Sequence, residues 1–135
     1  MPRFDNAKDL ERHLKKALDA LQAEVLITTQ AKLGSAAVSP IDTGRLRSSW
    51  FAAESSPSSD VAPEGADSPN TDATDLRVDA KKTYHLTNNL PYVQYVALEG
   101  KVVSQPKNWF IDFVNVTIPK IQDAAGRVIK GEYEL

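Results

Sequence analysis

A chain of 135 residues with a net charge of −2 and no cysteine is large enough to bury one core without metal or disulfide staples. The cysteine count excludes disulfides and thiolate metal sites, and the near-neutral charge gives no basis for binding nucleic acid or anionic membrane through bulk electrostatics. No apolar run approaches the roughly 18 to 20 residues needed to cross a bilayer, and Met1 to Asp5 lacks a signal-peptide core, so the expected setting is a cytoplasm or something assembled there.

The first element is an amphipathic helix from Asn6 to about Leu33. Leu10, Leu14, Leu18, Leu21 and Val25 recur at helical spacing, while Lys8, Glu11, Arg12, Lys15, Lys16, Asp19 and Glu24 take the other faces. Asn6 is placed to cap it, with Asp9 near its positive end. Gly34 and then Ser39-Pro40 stop it, because proline disfavours helical geometry in the residue before it. Its basic side chains Arg3, Lys8, Arg12, Lys15 and Lys16 read as a solvated face, with phosphate contact the less favoured use.

Residues 39 to 50 read SPIDTGRLRSSW. Asp42-Thr43-Gly44 is the tripeptide of aspartic proteases, which need two carboxylates sharing a proton and hence a symmetric dimer when the motif occurs once. Its neighbours oppose that chemistry. Pro40 and a long helix come before it, and Arg45 sets a permanent positive charge beside the carboxylate. The same letters suit a corner, a structural hinge of Pro40, Asp42, Thr43, Gly44, Arg45 and Arg47. Asp42 or Thr43 would cap a single helical turn over Arg45 to Ser48 that delivers Trp50 to a strand.

The predicted strand covers Ser48 to Glu54. Ser55 to Asp75 follows, rich in Ser, Pro, Ala, Asp and Gly, carrying Asp60, Glu64, Asp67, Asp72 and Asp75 and no basic residue. Its composition predicts a long mobile acidic loop. Arg77 to Asn88 alternates, with Val78, Ala80, Tyr84 and Leu86 on one face and Asp79, Lys81, Thr83, His85 and Thr87 on the other. That is a half-buried antiparallel strand, and the two strands with their loop read as one hairpin. Pro91 to Gly100 suggests a short helix, Lys101 to Ser104 an extended run, and Pro106 opens a second long helix through Trp109, Phe110, Phe113, Val114, Val116, Ile118 and Ile121. Pro119 is expected to kink or divide it, and Gly126 to Leu135 reads as a weak tail. The fold expected is α+β: a single domain over residues 1–135, with N- and C-terminal helices packed on a small antiparallel sheet.

No nucleotide-binding glycine loop, zinc-ligand set or serine elbow is present, and His13 and His85 are too few and too separated to suggest a shared metal. No catalytic, cofactor or metal residue is therefore assigned.

Three blocks taken in order, SPIDTGRLRSSW, YHLTNNLPYVQYVALEG and QPKNWFIDFVNVTI, resemble the small neck and tail-completion proteins of tailed bacteriophages, also called head–tail joining or minor tail proteins. The resemblance spans nearly the whole chain, and the order of the blocks is what makes it specific. It departs in the length and acidity of residues 55–75 and in Lys101-Val102-Val103 after Glu99-Gly100. The resemblance implies a non-enzymatic virion protein of the phage neck or tail, assembled in the host cytoplasm. It would form a homo-oligomeric ring, expected to be a hexamer, between the portal or connector and the tail-tube or terminator proteins. Double-stranded DNA would pass through the lumen without sequence-specific contact. A tail-terminator ring is the nearest alternative. On that reading Trp50, Tyr92, Tyr95 and Trp109 are candidates for subunit contact or the core behind it, and the acidic loop for the lumen surface.

Overall fold

The computed structural model describes residues 6–35, 45–91, 93 and 108–130. Helix α1 spans Ala7–Leu33, a single turn α2 spans Arg45–Ser48, strand β1 spans Trp50–Glu54, strand β2 spans Tyr84–Asn88 and helix α3 spans Trp109–Ile129. A 3-10 turn at Asp72–Asp75 lies between the strands. The architecture is α+β, as the periodicities predict.

Helix α1 begins where capping chemistry places it. The Asn6 side chain accepts the Asp9 N–H at 3.0 Å, satisfying one of the donors that the first turn leaves open. At its other end the Gly34 N–H returns to the Gln30 carbonyl. Gly34 also lets residues 55–75 come close. A Cβ placed there would stand 2.8 Å from the Pro69 Cβ, nearer than real side chains approach.

Strands β1 and β2 form a two-stranded antiparallel sheet with Trp50 opposite Asn88, Ala52 opposite Leu86 and Glu54 opposite Tyr84. The Ser55 N–H donates to the Thr83 carbonyl, so residues 51, 53 and 55 carry the ladder. The N–H and C=O groups of residues 50, 52 and 54 on β1, and of 84, 86 and 88 on β2, then point away from the partner strand.

The core has two parts. Leu33, Leu46, Trp50, Leu90 and Trp109 meet at one end, joined by Leu86, Phe110 and Phe113. Phe110 stacks on Trp50 (6.0 Å, 7°) and meets Trp109 edge-on (5.7 Å, 76°), both favourable ring geometries. Ala17, Leu21 and Val128 form the second part, where the end of α3 packs against the middle of α1.

Three expectations need correction here. Helix α3 passes through Pro119 undivided. Pro119 and Asn115, whose carbonyl loses its donor, are both exposed, so water can satisfy that group. Residues 126–129, expected to begin a weak tail, belong to α3, held by the burial of Val128. The second strand is shorter than Arg77 to Asn88. Asp79 bends the chain into a turn: its carboxylate accepts the Lys81 N–H, its carbonyl accepts the Lys82 N–H, and its own N–H donates to the Tyr84 hydroxyl at 2.7 Å. Local side-chain bonds of this kind compete with a ladder.

Candidate assembly surface

Residues 55–75 were expected to be a free loop. They instead form a strap fastened to the body at successive points. Thr87 and Asn89 side chains donate to the Ser58 carbonyl, and Asn89 also reaches the Asp60 carbonyl. Arg45 Nε donates to the Ala62 carbonyl at 2.8 Å, and Arg47 donates to the Asp67 carbonyl. Ser49 Oγ accepts the Ala62 N–H. Ala62 and Ala73 are buried. Composition registers apolar area but not these polar fasteners, which come from residues far away in sequence.

The strongest fastener is Gln30, only 1% exposed. Its Nε2 donates to the Trp50 carbonyl (3.0 Å) and to Asp72 Oδ1 (2.5 Å), while its Oε1 accepts the Ala73 N–H (2.9 Å). Asp72 Oδ1 also accepts the Ala52 N–H at 3.0 Å. One amide and one carboxylate thus join α1, the strap and the outward edge of β1. By occupying the Trp50 carbonyl and the Ala52 N–H they blunt that edge against pairing with another strand.

The acidic set assigned to the lumen therefore divides. Asp60, Glu64, Asp67 and Asp75 are exposed, whereas Asp72 turns inward and is a structural ligand of the sheet edge. The aromatic candidates divide as well. Trp50 and Trp109 lie in the chain's own core, so they stand behind any surface rather than on it, and Tyr92 and Tyr95 lie outside the described residues. Of the hinge, Arg45 and Arg47 lie in the helical turn expected of them and tie down the strap. Pro40, Asp42, Thr43 and Gly44 lie outside the described residues. Arg47 Nε is enclosed with no hydrogen-bond partner.

A cleft of about 480 Å³ opens where α1, β2 and α3 meet. Leu18, Leu21 and Val25 of α1, Leu86 of β2 and Ile121 and Ala125 of α3 make it mainly apolar. At the end marked by Gln22 and Ala80 the charges neutralise one another. Lys15 pairs with Asp19 (2.8 Å) and Asp79 (3.6 Å), and Lys82 pairs with Glu54 (2.7 Å). The Ala80 N–H donates to Asp19 Oδ1 at 2.7 Å. That bond, followed by the Lys15 ammonium, holds the Asp19 carboxyl below its ordinary range, and Asp19 in turn raises Lys15.

A depressed carboxylate contributes stability above its unfolded-state value of about 3.9, and loses it as pH falls through the native value. Asp19→Asn is expected to cost about 1 kcal/mol at neutral pH through the weakened pairing. The variant should also lose less stability than the wild type on acidification. Urea midpoints at about pH 6 and about pH 3 check both effects.

Searches against protein-family models, curated proteins and solved structures find no match to this chain. Among the described residues no group of histidine and acidic side chains is arranged to hold a metal ion, and no helix is long and apolar enough to cross a membrane.

Proposed function

We propose that this chain is a structural subunit of a tailed-phage neck, forming a ring that joins the portal or connector to the tail. The observation that carries the reading is the ordered set of three sequence blocks. Physical support comes from the strap. Asp60, Glu64, Asp67 and Asp75 are exposed on a segment held to the body by Gln30, Arg45, Arg47 and Asn89. Carboxylates on a fastened segment make a negative surface of defined position. Such a surface facing a DNA channel repels the phosphate backbone and limits adhesion during passage. Arg45 and Arg47, within the first block, serve this design by fixing the strap rather than by chemistry.

Deleting the strap is a poor test, because its Ala62 and Ala73 are buried and its Asp72 bonds to the edge of β1. Neutralising the four exposed carboxylates (Asp60→Asn, Glu64→Gln, Asp67→Asn, Asp75→Asn) leaves every fastener in place. The expected result is an unchanged melting temperature and an unchanged assembly mass near six times the 14.8 kDa chain by mass photometry. Particles carrying the variant should retain or eject DNA less efficiently. Wild-type protein that stays monomeric at all concentrations, or variant particles that package and eject normally, would count against the reading.

A further inference from the structure

The strap is fastened to the body, yet neither part of the core includes a residue of it. Between residues 55 and 75 only Ala62 and Ala73 are buried, and Val61 stands 42% exposed. What holds the segment is polar. Except at Asp72, side chains of the body bond the strap's main chain: Thr87 and Asn89 at Ser58, Arg45 and Ser49 at Ala62, Gln30 at Ala73. Each such bond is weak in net terms, because water replaces both partners when they part. A segment with few buried apolar contacts and water-exchangeable bonds opens at a lower free energy than the core.

The latch has a second property. The Trp50 carbonyl and the Ala52 N–H flank Phe51 on the outward edge of β1. One residue of a parallel neighbouring strand would donate to the first and accept from the second. Gln30 Nε2 and Asp72 Oδ1 fill those two places, each at 3.0 Å, and bond each other at 2.5 Å. The two side chains thus stand where one residue of a third strand would stand. Gln30 belongs to α1 and stays with the body, whereas Asp72 leaves with the strap. Opening therefore frees the Ala52 N–H and uncovers the edge.

We infer that residues 56–75 open as one unit while the two-part core stays folded, so that the strap is an autoinhibitory cover on the outward edge of β1. Closed, it fills the strand-pairing positions beside Phe51. Open, it leaves them to a backbone. The device belongs to the single chain and does not depend on a ring.

Amide hydrogen exchange of the full-length protein, followed residue by residue at low urea, tests it. Within β1 the amides should alternate. Ala52, bonded to Asp72, should exchange together with Ala62 and Ala73 of the strap, with protection at least about tenfold below that of Phe51 and Ala53 on the ladder. The three should share one shallow urea dependence, since opening the strap exposes less surface than unfolding does. Asp72→Ala removes the carboxylate and leaves the bonds at Ala62 in place. It should speed Ala52, Ala62 and Ala73 by one common factor of at least about tenfold. Acceleration at Ala52 and Ala73 that leaves Ala62 unchanged means that the strap frays piece by piece, and overturns the inference. Wild-type protein in which Ala52, Ala62 and Ala73 are protected as fully as the ladder also overturns it, because the strap then unfolds only with the core. If Asp72→Ala does not fold, the wild-type alternation alone decides.

Discussion

Gln30→Leu is expected to destabilise the protein by about 3 kcal/mol or more, although it adds an apolar side chain to a buried site. The loss comes from what remains. The Ala73 N–H and the Trp50 carbonyl both lose their Gln30 partner, and Asp72 loses one of its two donors. Each buried group left unsatisfied costs about 1 to 3 kcal/mol. Gln30→Glu separates the possible causes. A carboxylate still accepts from Ala73 but meets Asp72 and the Trp50 carbonyl as a second acceptor, so it should be no better than leucine near neutral pH. Urea unfolding of the three proteins measures this. Hydrogen exchange should show protection lost first in residues 58–75. If both variants stay within about 0.5 kcal/mol of wild type, the latch is not what holds the strap.

Trp109→Ala is expected to cost about 3 to 5 kcal/mol, the usual range for emptying a buried aromatic site. Trp109 is 5% exposed at the start of α3 and meets Phe110 edge-on, while Phe110 stacks on Trp50 of β1. Removing it therefore opens a cavity and loosens the ring contact joining α3 to the sheet. Ile111→Ala, two residues away and 47% exposed, is the control. It should change monomer stability by less than about 0.5 kcal/mol. Thermal or urea melts of the dilute protein give both values. A small effect at Trp109 would mean that this aromatic is reserved for a partner, as its residue type first suggested.

These results bear on how far the sequence could be read directly. Helix α1 was legible from cap to cap, because Asn6, the leucine periodicity and Gly34 all act within a few residues of where they sit. The antiparallel pairing of β1 with β2, up to 38 positions apart, was legible because consecutive strands joined by one connection usually lie side by side. Gly126 misled, because its local propensity is outweighed by packing of Val128 on Ala17 and Leu21, more than 100 positions away in sequence. The end of β2 was missed because Asp79 and Tyr84 satisfy a turn with side chains, which alternation of polarity does not register.

The strap was the largest departure. Its own composition carries almost no sign that it is fastened, since the fasteners sit at Gln30, Arg45, Arg47 and Asn89. One signal was available. Gln30 lies four residues after Leu26 and three before Leu33, on the buried stripe of α1. A lone amide at such a position needs a partner from elsewhere in the chain. The cleft left a fainter trace still: Ile118 and Ile121 stand alike in the helix's apolar set, and only the fold separates the exposed Ile118 from Ile121, which lines the cleft.

Cryo-electron microscopy of intact virions assembled with this chain tests the central claim most directly. The reading predicts a symmetric ring of copies on the portal axis between capsid and tail, with the Asp60, Glu64, Asp67 and Asp75 strap towards the lumen. Particles whose neck is complete without this chain, or a chain found only in the host cell fraction, would contradict it.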